Sequence, residues 1–289
     1  MRKTNTNESV DYASPHQPSR IMPELSQSNP EMSPQSIPIE RALVTGASSG
    51  IGREIARILA AQGCNLVLCA RRRAELEALK TELADKHGVQ SEVVVSDLAS
   101  VGGVKALIAT AGEVDIVVNN AGFGFAGSTI ERDTDGQLSM IDLNVRALTH
   151  LSRHYGKKMA GKGRGRILNV ASIAAFTPGP GMAVYCATKA YVLSFSRALH
   201  DELRPKGVSV TALCPGFVET GFQEVAGLDF GAMERSTAVP AEKVAEIAVK
   251  AMRKGRREVI PGLMNKPLPL ITRLAPVRLQ LAVAKALLG

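Results

Sequence analysis

From about residue 41 to residue 260 the chain repeats one pattern: a short run rich in Val, Ile and Leu, then a longer stretch with helical spacing. Residues 42–44, 66–69, 93–95, 114–118, 167–170, 208–213 and 258–260 read as strands. Most are apolar throughout instead of alternating with polar residues, as expected when helices cover both faces of a parallel sheet. Helical spacing occupies 51–62, 73–87, 101–111, 137–160, 184–204 and 241–254. Right-handed crossovers leave such an alternation few topologies. The expected fold is α/β: a single Rossmann-type doubly wound domain over 41–260, its seven-stranded parallel sheet flanked by helices. Ligands of such sheets bind beyond the carboxyl ends of the strands.

The flanks differ from this core. Residues 1–40 hold six of the fifteen prolines and one aromatic, Tyr12, too little apolar surface to offset the entropy of ordering, so a disordered N-terminal tail is expected. It has no apolar signal segment, and its acids oppose a mitochondrial presequence. Residues 261–289 combine many leucines with Lys266, Arg273, Arg278 and Lys285 and contain no acid. A basic amphipathic segment of this kind suits a cap over the substrate pocket, a subunit contact or a membrane surface, the two protein-packing placements being favoured.

Composition narrows the partners. The net charge is +8, yet neither stacking aromatics nor a DNA-reading helix motif accompanies it, so no nucleic-acid partner is expected. Cys64, Cys69, Cys186 and Cys214 show neither paired nor metal spacing, which fits a reduced, cytoplasmic setting, with Cys69 and Cys214 as core residues. His150 and His154 stand four apart on one helix without a third ligand, so no metal is expected. The Gly- and basic-rich stretch 161–166 reads as a solvated turn.

The chemistry concentrates at four places. Residues 45–52 (TGASSGIG) follow the first strand and open the first helix, where glycines let backbone N–H groups approach a pyrophosphate at the positive end of the helix dipole. The second strand ends in Ala70 and then Arg71, Arg72 and Arg73, where an NAD site would carry an acid. Guanidinium groups there suit a 2′-phosphate, which favours NADP(H) over NAD(H), with Arg71 the preferred contact and Arg73 and Arg72 as readily a solvated helix start. Asn119, Asn120, Ala121 and Gly122 follow the fourth strand. Ser172 follows the fifth, and Tyr185 and Lys189, four apart, share one helix face. A cation beside a phenol favours phenolate and brings its pKa toward neutrality.

In this order the motifs TGASSGIG, NNAG, Asn144, Ser172, YCATK and Pro215-Gly216 with Thr220 resemble the classical short-chain dehydrogenases/reductases, across about 41–260. The resemblance implies that Tyr185 is the general acid or base, that Lys189 binds the nicotinamide ribose and lowers the Tyr185 pKa, that Ser172 steadies the substrate oxygen, and that Asn144 holds a water in a relay to Lys189. It places Ser48, Gly50, Ile51 and Gly52, with Gly46 and Ser49 in the same turn, at the phosphates, and Asp97 and Leu98 at the adenine. Asn120, Ala121 and Gly122 fall along the riboses, and Pro215, Gly216, Val218 and Thr220 near the carboxamide. A departure is Ser49, where many NADP-preferring members carry a basic residue. The implied function is hydride transfer between NADP(H) and a carbonyl or secondary alcohol of an apolar lipid-, steroid- or xenobiotic-like substrate, by a homodimer or homotetramer. Two alternatives remain: a reductase of carrier-bound 3-oxoacyl chains, and a non-catalytic NADP(H)-binding scaffold or sensor.

Overall fold

A computed structural model describes residues 40–218 and 238–288; residues 1–39 of the expected tail, Thr220 and the 221–235 loop lie outside the described residues. Seven strands occur among the described residues: β1 (Arg41–Thr45), β2 (Asn65–Ala70), β3 (Ser91–Val95), β4 (Ile116–Asn119), β5 (Gly165–Val170), β6 (Val208–Leu213) and β7 (Glu258–Val259). They form one parallel sheet in the order β3-β2-β1-β4-β5-β6-β7. The chain runs outward from β1 to β3, then returns to β4 and runs the other way. The reversal between β1 and β4 opens a crevice at their carboxyl ends, and the Gly46 and Asn120 turns both leave from it.

Strand composition follows from burial on both faces. Ala42, Val44, Leu66, Leu68, Ile116 and Val118 pack with α1 (Gly50–Ala61), α2 (Arg73–His87) and α7 (Ala241–Arg253). The intervening Leu43, Val67, Cys69 and Val117 pack on the other side with α3 (Val101–Ala111) and α5 (Leu148–Lys162). Successive residues of one strand thus serve opposite cores, which is why no polar alternation appears. All four cysteines are buried and free.

Three expectations are corrected. The fourth strand begins at Ile116, not at residue 114, although Val114 is itself buried. The single helix expected over 137–160 is instead α4 (Thr134–Ile141), a π-helical turn (Asp142–Ala147) and α5. One inserted residue widens the backbone ladder there while the 3.6-residue apolar pattern runs on across it, so periodicity carries no trace of the bulge. Glu40, assigned to the tail, belongs to the folded unit: its carbonyl accepts from Asn65 N at 2.9 Å and its carboxylate binds Arg166 Nη1 at 2.8 Å and also Arg253. Beyond β7, α8 (Leu268–Leu274) and α9 (Val277–Leu288) follow α6 (Ala183–Leu203) and α7 in the helix series.

Candidate active site

The glycine turn is built to bring backbone close to a ligand. Gly46 (φ 67°) and Gly50 (φ 55°) adopt left-handed backbone that other residues enter only at a cost. At Gly52 a Cβ would sit 2.4 Å from the Gly46 carbonyl oxygen and 2.4 Å from Asn120 Nδ2, so there is no room for a side chain. Ser49 caps α1 without using its hydroxyl on the helix, which leaves the first-turn N–H groups directed at the crevice. Asn120 Nδ2 donates to Thr45 O and Gly46 O at 3.0 and 3.2 Å and locks the turn. Gly46, Ser48, Ser49, Gly50 and Ile51 line a cavity of about 1080 Å³. These residues fit the diphosphate of a dinucleotide.

The same cavity is lined by Arg71, Asp97 and Leu98 toward the sheet edge and by Asn120, Ala121 and Gly122 at the switch point. Arg72 lines it as well, with Nη2 donating to Ser48 Oγ at 3.1 Å and Nη1 3.3 Å from Glu75. The expectation that Arg71 alone is the preferred contact therefore widens to a pair. Arg73 is turned away to Glu77, at 3.6 Å.

At the other end of the cavity wall lie Ser172, Tyr185 and Lys189, all buried. Ser172 Oγ accepts from Ala174 N at 3.1 Å, which directs its own proton outward, and it is a hydrogen-bond partner of the Tyr185 hydroxyl. Lys189 Nζ donates to the Val170 carbonyl at 2.9 Å and stands 5.7 Å from the centre of the Tyr185 ring. The strand β5 thereby fixes both sides of the pair, since Val170 ends it and Ser172 follows two residues later. Burial pushes the Tyr185 phenol up to about 12, against a lowering by the Ser172 hydrogen bond. Burial likewise brings the Lys189 ammonium down to about 8. The expected acidification of the phenol is therefore not what this arrangement produces: desolvation of the phenolate outweighs its neighbours, and the ammonium serves the Val170 carbonyl.

Asn144, in the π turn, receives Phe123 N at 3.2 Å and donates to Phe123 O at 2.9 Å and Thr188 Oγ1 at 3.1 Å. It does not line the cavity. Its side chain ties the loop after β4 to α6, and Gly122 is pressed so close that a Cβ would lie 2.8 Å from Asn144 Oδ1 and 3.5 Å from Lys189 Nζ. Gly52 is also outside the lining, supporting the turn from behind. Pro215, Gly216 and Val218 line the cavity, and the Pro215 carbonyl accepts from Ile173 N at 2.9 Å.

Two groups escaped sequence reasoning. Thr45, buried at the end of β1, donates to Val118 O at 3.1 Å and accepts from Asn120 N and Ala121 N at 3.0 and 3.1 Å, so one hydroxyl joins the two turns of the switch point. Its place directly before the glycines was the available signal. Asn119, Ser152, Asn169 and Ser196 form a buried polar chain through β4, α5, β5 and α6. Asn119 stood out as the first residue of NNAG, but nothing in single-sequence spacing marks Ser152, Asn169 and Ser196 as its partners. The C-terminal segment contributes Met264, Asn265, Leu268, Ile271, Thr272 and further residues to the cavity wall, and a Cβ on Gly216 would meet Asn265 Nδ2 at 2.4 Å.

Known proteins share this architecture. A short-chain dehydrogenase from Sphingobium yanoikuyae, solved in complex with NADPH, is 33% identical with a TM-score of 0.74, over 78% of this chain and 89% of that one. A short chain dehydrogenase/reductase from Burkholderia phymatum, in complex with NAD, is 28% identical with a TM-score of 0.71, over 82% and 92%. A 3-oxoacyl-[acyl-carrier-protein] reductase of Rickettsia prowazekii is 35% identical over 179 residues, 62% of this chain and 73% of that protein. A family model described as short chain dehydrogenase matches residues 40–229. With the parallel sheet, the glycine turn and the Ser172–Tyr185–Lys189 cluster in place, the chain belongs to the short-chain dehydrogenase family of nicotinamide-dependent oxidoreductases.

Proposed function

We propose that the protein is an NADP(H)-dependent reductase of an apolar carbonyl compound, acting on the C=O/CH–OH couple. The observation that carries this reading is the buried Ser172–Tyr185 hydroxyl pair beside Lys189, on the wall of the cavity that also holds the glycine turn. The cofactor supplies the hydride when bound. Ser48, Gly50 and Ile51 would hold its diphosphate, Arg71 and Arg72 its 2′-phosphate, Asp97 and Leu98 its adenine, and Lys189 its nicotinamide ribose.

Tyr185 gives its phenolic proton to the carbonyl oxygen, and Ser172 donates a hydrogen bond to the same oxygen as charge develops there. Burial raises the phenol's pKa, so it holds its proton at neutral pH until the carbonyl oxygen takes it. The phenolate left behind lies beside the Lys189 ammonium, which offsets its charge. Asn144 acts by positioning: it fixes the Phe123 loop against α6, and so the floor under Lys189. Phe123, Ile173, Ala174 and Met182, with Leu268 and Ile271 from α8, give the chamber an apolar lining. A cytoplasmic homodimer or homotetramer is the proposed form, with residues 261–289 as its pocket cap.

A panel of ketones and a carrier-linked 3-oxoacyl thioester, followed by NADPH absorbance with NADH in parallel, tests this. The expected result is NADPH-dependent reduction of bulky apolar ketones. Replacing both Arg71 and Arg72 by Ser raises KM for NADPH by about 10- to 100-fold and leaves that for NADH nearly unchanged. Reduction confined to the thioester would move the reading to the carrier-bound alternative. No nicotinamide binding at all would overturn it.

A further inference from the structure

The C-terminal helices are apolar on two sides. Leu268, Ile271, Thr272 and Ala275, at spacing i, i+3, i+4 and i+7, line the cavity. Two residues later, Leu270, Arg273 and Leu274 form the opposite face of α8, and Val277 opens α9 beyond the break at Ala275 and Pro276; none of the four lines the cavity. Leu270, Leu274 and Val277 are 63%, 74% and 60% exposed. Eight of the fourteen large hydrophobic residues exposed among the described residues fall between Leu263 and Leu281. Single exposed apolar residues need no explanation, but a cluster this dense along one segment does.

Charge decides what covers it. Residues 261–289 carry Lys266, Arg273, Arg278 and Lys285 and no Asp or Glu. Among the described residues, neither Arg273 nor Arg278 has an acidic partner, and both are exposed. A second copy pairing through the same face would set one acid-free cationic segment against another, whereas an anionic bilayer meets the cations with phosphates and receives the leucines at its acyl boundary. We propose that the outer face of α8 and the start of α9 docks the protein on anionic lipid membranes. Because the opposite face of α8 is cavity wall, the docked protein places its chamber one helix away from the acyl boundary. On the function proposed above, on which this clause rests, its substrate is an apolar carbonyl compound dissolved in the bilayer.

Flotation of the full chain with phosphatidylcholine vesicles, with and without about one-third phosphatidylglycerol, tests the docking. The expected result is flotation with the anionic vesicles only, released by high salt. Replacing Arg273 and Arg278 by Gln lowers partition by about 30-fold, roughly fivefold per cation. Replacing Leu270 and Leu274 by Ser abolishes it. All four side chains lie off the cavity, so both variants keep wild-type NADPH-coupled turnover of a water-soluble ketone, which shows that they are folded. Absence of wild-type flotation on anionic vesicles, or flotation unaltered in both variants, overturns the inference. So does a dimer that the leucine variant dissolves while no vesicle binding occurs. If flotation follows the expectation but no ketone is reduced, docking stands and only the reductase reading falls.

Discussion

Lys189 carries a positive charge where burial opposes it. Among the described residues its ammonium has one hydrogen-bond acceptor, the Val170 carbonyl, and desolvation lowers its pKa from 10.5 to about 8. A buried cation with a folded pKa below its unfolded value destabilises the folded chain at neutral pH, here by about 3 kcal/mol, and the penalty fades as the group deprotonates. Between about pH 8 and pH 10 the unfolded chain holds more protons at this site than the folded one, so stability rises with pH. Lys189→Met is expected to raise Tm at neutral pH by about 5 °C, to flatten that rise and to abolish turnover, as thermal unfolding across the pH range and a ketone assay would show. Tyr185→Phe removes the proton donor without opening space. It is expected to lower kcat by about 1000-fold or more while NADPH titration shows cofactor still bound. Residue types and spacing made Ser172, Tyr185 and Lys189 legible in the sequence. The direction of the Tyr185 shift was not, because it depends on how completely the folded chain excludes water.

The glycine turn and the long helix show how far local pattern reaches at the level of elements. The turn between β1 and α1 declares itself, since three glycines fall where a strand must hand over to a helix N-terminus. A Cβ at Gly52 has only backbone and the fixed Asn120 amide to meet. Gly52→Ala should therefore destabilise the chain by about 1–3 kcal/mol and weaken NADPH binding by about tenfold or more, measurable by denaturant unfolding and fluorescence titration. The π turn at Asp142–Ala147 left no such mark. Its register is stabilised by Asn144 reaching Phe123 and Thr188, partners 21 and 44 residues away. Likewise position in the sequence favoured Arg71 and left Arg72 open, and only the contact of Arg72 with Ser48 across the crevice brings it to the cavity beside Arg71.

Across the whole molecule, Glu40 joins the entry of β1 to β5 and α7 through Arg166 and Arg253, and Arg253 also reaches Cys64 at 3.3 Å. These are half-buried pairs in a network, so Glu40→Ala is expected to lower Tm by about 2–4 °C with kcat unchanged, as differential scanning calorimetry and steady-state kinetics would report. No helix of the described residues is long and apolar enough to cross a membrane. The sequence by itself determined the parallel sheet and its two helical layers, because strands buried on both faces must be apolar throughout and the helices between them must not be. It also determined the glycine turn and the Ser172, Tyr185 and Lys189 set, whose chemistry is written in residue type and spacing. Tertiary structure alone decided the pKa values, the π turn, the anchoring of Glu40 and the two apolar faces of α8, one lining the cavity and one exposed. Each of these depends on desolvation or on partners far away along the chain, and neither leaves a period in the sequence.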